Sequence, residues 1–228
     1  MKNKFWLVVF MLLSFPSWLF AQTSVNGRVV FEGTAPLVEK IGVKSDVSTC
    51  GSTKEVQPLI LGQGNGVANA VVTIIGPKPD GTLQVKESLL NQEKCEFNPH
   101  VLVLPVGSTL KIMSSDPVLH NSHGFYEDGS TAFNIAVPIA GMEMPAKMKQ
   151  AGVIKLRCDA GHTWMSAYVV VTDQPYYALT DANGNFKIDG VPPGSYEVEV
   201  WQEWLGKHRE PITVKEGGEP VTITLKKS

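Results

Sequence analysis

Residues 153–171 read VIKLRCDAGHTWMSAYVVV. Two β-branched, apolar runs, Gly152–Cys158 and Ser166–Thr172, flank a short polar loop, and their composition marks both as strands. The loop carries Cys158, His162 and Met165. A thiolate, an imidazole and a thioether are soft or borderline donors, and a loop pinned between paired strands can hold them at fixed angles. Two histidines, one cysteine and a weak axial methionine make a copper set suited to electron transfer, and a poor set for zinc. The second imidazole must come from elsewhere, and Leu119-His120-Asn121-Ser122-His123 offers two. We expect His120, Cys158, His162 and Met165 to hold one copper ion. His123 is the alternative or additional donor, Asn121 is placed to orient the site through a hydrogen bond, and Trp164 reads as packing beside it.

Outward from this loop the chain reads as strands and turns. Ser24–Glu32, Ala68–Ile75, His100–Pro105, Ser108–Met113, Phe186–Ile188, Ser195–Trp201 and Val221–Leu225 are short apolar or alternating runs bounded by Gly and Pro. Many short strands at this spacing predict an all-β protein of sandwiches or barrels. Two stretches, Ser88–Lys94 and Met142–Lys149, are the best candidates for a turn of helix. Asn183-Gly184 favours the positive φ of a hairpin, Val191-Pro-Pro-Gly194 is a second turn, and Tyr196–Trp201 alternates with period two, so one of its faces is buried.

With these residues in place, the stretch from about Cys95 to Asp173 resembles the cupredoxins, the family of plastocyanin, amicyanin and azurin. His120-Asn121 matches the family's upstream pair, CDAGHTWM (158–165) its ligand loop, and Phe97–Ile112 its preceding strand pair. The resemblance implies a Greek-key β-sandwich with one copper ion on His120, Cys158, His162 and Met165. Three residues separate Cys158 from His162, a spacing between those of amicyanin and azurin. TDANGNFKIDGVPPGSYEVEVW (180–201) resembles the carboxypeptidase regulatory-like domain, a small transthyretin-like β-sandwich. That family normally begins with a strand like SVNGRVV, found here at 24–30, and a second like the one at 67–75. The copper unit, 90–173, is therefore expected to be inserted into a sandwich built from 22–89 and 174–228. The whole arrangement is similar to exported bacterial proteins of plastocyanin-like or methylamine-utilisation-related type.

The first residues, MKNKFWLVVFMLLSFPSWLFAQ, have a positive start, an apolar core and a small residue at Ala21, the pattern of a signal peptide over 1–21. No later segment is expected to span a membrane. The 20 basic and 22 acidic residues are balanced and form no basic run, which argues against nucleic acid. Three cysteines in an oxidising compartment suggest one pair and one thiol with another task. With Cys158 assigned to metal, Cys50 and Cys95 are expected to form a disulfide. The Met142, Met144 and Met148 group reads as apolar packing, and Asp181, Asp189 and Glu197 as solvated turn and strand residues. No acid–base pair or substrate pocket is evident, so the expectation is a periplasmic or secreted one-electron carrier serving a redox partner protein, and not an enzyme. Copper storage or delivery, and a red-copper enzyme using His123, are the alternatives.

Overall fold

The computed structural model describes residues 23–76 and 83–227. The signal segment expected at 1–21 lies outside the described residues. The chain order opens with β1 (Thr23–Phe31), β2 (Glu39–Gly42), α1 (Val47–Cys50), β3 (Thr53–Val56) and β4 (Val71–Ile75). It continues through β5 (Glu87–Glu93), β6 (Glu96–Asn98), β7 (Val101–Pro105), β8 (Thr109–Ser114), β9 (His120–Phe125), β10 (Thr131–Val137), β11 (Met144–Lys147), β12 (Gly152–Arg157) and β13 (Ser166–Thr172). The last strands are β14 (Tyr177–Leu179), β15 (Asn185–Val191), β16 (Gly194–Gln202), β17 (Gly206–Val214) and β18 (Val221–Leu225). The protein is all-β, as its composition predicts.

Two sandwiches account for the sheets. In the first, a five-stranded sheet in the order β10-β9-β12-β13-β7 faces a four-stranded sheet in the order β11-β8-β5-β6. Leu90, Leu104, Leu110, Ile112, Ile154, Leu156, Ala167 and Val169 fill the space between them. The β2–β3 hairpin and α1 also belong here, because Val43 and Cys50 are buried in the same core. In the second sandwich, the sheet β15-β1-β18 and the sheet β14-β4-β16-β17 enclose Val29, Phe31, Val72, Ile74, Phe186, Val198, Val200 and Ile223. β1 and β4 come before the paired strands β5–β13 in the chain, with β2, α1 and β3 between them, and β14–β18 come after.

β13 explains how the two halves join. Ala167 and Val169 point into the first core, while Val170 on the opposite face joins Val101, Val103 and Val153 against Val71 and Trp201 of the second sandwich. A strand covered on both faces reads as a continuous apolar run instead of an alternating one, which is why residues 167–171 are AYVVV.

Neither expected helix forms, and each segment supplies a strand instead. Ser88–Lys94 falls on β5, which runs parallel to β8 and pairs Leu90 with Ile112. There Leu90 and Gln92 are buried while Leu89 is exposed, a period of two. Met142–Lys149 contains β11, paired with β8 through Met144 and Ile112. In both, sheet pairing overrides a helix propensity that is only a weak prior.

Candidate metal centre

β9 begins at His120 and alternates strictly. His120, Ser122 and Gly124 face inward, and Asn121, His123 and Phe125 are less covered on the other face. This period of two separates the two candidate imidazoles. His120 is fully buried at the end of the strand, opposite Val137 of β10. Cys158 follows directly on β12, whose last residue Arg157 pairs with His123 on one side and Ser166 on the other. The loop then turns at Gly161, whose φ of +93° suits glycine. It closes when the Met165 N–H donates to the His162 carbonyl at 3.0 Å.

These elements bring three donors together. Cys158 Sγ lies 3.8 Å from His120 Nδ1 and 3.7 Å from His162 Nδ1. The two rings stand 4.6 Å apart, centre to centre. Both histidines are 0% exposed and Cys158 is 5% exposed. A trigonal site with metal–sulfur near ~2.3 Å and metal–nitrogen near ~2.0 Å has sulfur–nitrogen separations of about 3.7 Å, so the spacing suits one small first-row ion. Met165 is buried in the same core at the end of the loop. Trp164 packs on His162 at 5.4 Å between centres and donates its Nε1–H to the Cys95 carbonyl.

The outer nitrogen of each ring is held by a carboxylate. Asp116 Oδ2 lies 2.9 Å from His120 Nε2, and Asp46 Oδ2 lies 2.9 Å from His162 Nε2. Such contacts fix the ring and its tautomer, leaving Nδ1 of each free to face Cys158. Burial holds the His120 imidazole below its ordinary pKa, against the opposing pull of Asp116; a neutral ring is the form that ligates. Neither carboxylate was singled out from the sequence. Ser115-Asp116-Pro117 reads as a turn, and Asp46 is 116 residues away from its partner.

Asn121 acts as expected, through the loop rather than the rings: its Oδ1 accepts the Asp159 N–H at 2.6 Å, tying β9 to the residue after Cys158. His123 is not at the centre. Its Nδ1 pairs with Asp159 Oδ2 at 2.6 Å and its Nε2 meets the Thr131 hydroxyl. The Cys50–Cys95 disulfide is formed, and Cys158 is a free, buried thiol.

Residues 157–226 match the family model of the carboxypeptidase regulatory-like domain. The carboxypeptidase regulatory-like match starts at the end of β12, takes in the ligand loop and β13, and runs on through β14–β18. No curated protein matches the chain in sequence. Solved structures are similar to part of it. A purple cupredoxin from Nitrosopumilus maritimus is 23% identical with a TM-score of 0.33, covering 37% of this chain and 99% of its own. Amicyanin from Paracoccus versutus is 14% identical with a TM-score of 0.33, covering 44% and 97%. A copper-containing nitrite reductase from Thermus scotoductus is 20% identical with a TM-score of 0.31, covering 43% and 24%.

Proposed function

We propose that the protein is a mononuclear copper protein of cupredoxin type that carries single electrons to or from a larger redox partner. One observation carries this reading: Cys158 Sγ is set between His120 Nδ1 and His162 Nδ1 in a buried pocket, at separations that suit one ion. His120, Cys158 and His162 would hold the copper, with Met165 as a weaker fourth donor. Bound copper would supply one-electron redox chemistry. The chain's own part is to keep the donors in one arrangement, since strands β9, β12 and β13 fix the positions from which they project. The same burial supports a carrier over an enzyme, because all three donors are shut away from solvent.

In this reading the copper unit, about 90–173, is inserted into a carboxypeptidase regulatory-like sandwich. Pairing of β1 with β15 and β18, and of β4 with β14 and β16, supports that division. Export to the periplasm or beyond fits the Cys50–Cys95 disulfide, a bond that persists in oxidising compartments.

The test is a Cu(II) titration of the chain from Gln22, followed by visible absorption and electron paramagnetic resonance, beside Cys158→Ser. The expected result is a strong thiolate-to-copper band that saturates at one copper per chain and is absent in the variant. A chain without that band, or a band that survives Cys158→Ser, overturns the proposal.

A further inference from the structure

The two carboxylates that hold the imidazoles reach the centre from different directions. Asp116 belongs to the loop before β9, within the first sandwich. Asp46 comes from the segment between β2 and β3, far away in sequence, and its side chain is 39% exposed. Its backbone is nonetheless well fixed. The Asp46 carbonyl accepts the N–H groups of Thr49 and Cys50 at 2.9 and 2.8 Å, starting the single turn of α1. Cys50, the last residue of that turn, is bonded to Cys95. The Cys95 N–H donates in turn to Asp116 Oδ2 at 2.8 Å, the oxygen that faces His120. One continuous path therefore runs from His162 through Asp46, α1, the disulfide and Asp116 to His120. The disulfide lies against the centre itself: the sulfurs of Cys50 and Cys95 and a nitrogen of His162 are all within 4.8 Å of one another.

We propose that Asp46 is a positioning residue for the copper ligand His162, and that the Cys50–Cys95 disulfide is the strut that keeps it there. This rests on the copper reading given above. The chemistry is that of a ligand's outer partner. A carboxylate on the far nitrogen raises the basicity of the ring and fixes its angle, so it favours the more highly charged Cu(II) over Cu(I). Without the disulfide, α1 loses its covalent tie, and the segment is held by the β2–β3 hairpin, the packing of Val43 and the Lys54–Glu96 pair, all of them outside the turn that begins at Asp46. A turn that short is not stable by itself, so Asp46 would be free to leave the His162 ring for water. Metal retention is thereby coupled to the redox state of a bond that is not a ligand.

Asp46→Asn preserves shape and, at an exposed position, the fold. Its Cu(II) affinity, measured by competition with a chelator, should fall roughly 10- to 100-fold, the usual effect of removing such a partner. Its reduction potential should rise and its copper hyperfine splitting should change, while the thiolate band persists. Cys50→Ser/Cys95→Ser should move all three quantities in the same direction, and adding Asp46→Asn to it should have little further effect, because both act on one contact. Unchanged affinity and potential in Asp46→Asn overturn the positioning role, whether or not the cysteine variant folds. A folded cysteine variant with wild-type values overturns the strut. Wild-type protein that lacks a Cys158-dependent band overturns the copper reading itself, a different result from a normal band whose affinity ignores Asp46.

Discussion

Asp116 Oδ2 sits 2.9 Å from His120 Nε2, and the same side chain accepts the backbone N–H groups of Lys94 and Cys95 at 2.7 and 2.8 Å. Lys94 and Cys95 form the two-residue turn between β5 and β6, and both have positive φ, 52° and 57°. Non-glycine residues in that region are strained unless their surroundings hold them. One buried carboxylate thus fixes His120 and a tight hairpin together. Asp116→Ala would leave two buried donors, the Cys95 N–H and the His120 ring, and the part-buried Lys94 N–H without an acceptor, at about 1–3 kcal/mol for each buried one. Urea unfolding of the metal-free protein should show a loss of at least about 2 kcal/mol, with a smaller loss in Asp116→Asn, which keeps one carbonyl oxygen. A wild-type midpoint in Asp116→Ala would show that the carboxylate holds nothing.

His123 and His120 are three residues apart on one strand and lie on opposite faces. His123→Ala should therefore bind one copper with an unchanged band, whereas His120→Ala should lose it. The His123–Asp159 pair is partly exposed, so its removal should cost no more than about 1 kcal/mol. Absorption of the two variants at one equivalent of Cu(II) separates the cases; a lost band in His123→Ala alone would mean that the strand presents its other face to the metal.

The cluster of His120, Cys158 and His162 was legible in sequence because donor chemistry is concentrated around Cys158. Three donor types fall within eight residues, Cys158 to Met165, between two strands of strong β composition. The period of two that chooses His120 over His123 becomes visible only once β9 is known to be a strand, and SHGF with its glycine does not advertise one. β17 was missed for a similar reason: Lys207-His-Arg-Glu-Pro211 reads as a solvated segment, yet all nine residues of the strand pair with β16. Asp46 and Asp116 had no local signal at all. A carboxylate that braces an imidazole through tertiary structure looks, in sequence, like any aspartate in a turn. The helix expected at Ser88–Lys94 failed because its neighbour in space, β8, is what decides its conformation.

Trp201 is the contact between the sandwiches that has most to lose. It is 6% exposed, lies in the cluster with Val101, Val103, Val153 and Val170, and packs on Tyr168 with ring centres 5.3 Å apart. Replacing it by alanine opens a cavity against the outer face of the sheet that carries Cys158. Trp201→Ala should cost about 3–5 kcal/mol in urea unfolding while copper binding at saturation stays at one per chain, since the donors lie on the sheet's other face. A cost below about 1 kcal/mol, the scale of a surface substitution, would show that the two sandwiches do not depend on this contact.

His100 gives the stability a pH dependence whose sign is fixed by its surroundings. The ring sits at the same junction, with Nε2 2.5 Å from Glu203 Oε1 and Nδ1 3.1 Å from the Ser166 carbonyl. Burial disfavours the charged ring, but the hydrogen bond and charge of Glu203, with the Ser166 carbonyl, outweigh it and leave the pKa raised. A group whose folded pKa exceeds its unfolded value of ~6.5 binds its proton more tightly in the native state. Its contribution is complete below that unfolded value and is lost as pH rises through the folded pKa. Wild type should therefore lead His100→Gln most at pH near ~6, with the lead shrinking toward pH near ~8 as the ring deprotonates. Urea midpoints of the two proteins across this range, with the His100 titration followed by NMR, provide the check. A lead that grows with pH, or a ring that titrates below its unfolded value, would mean that burial prevails over Glu203.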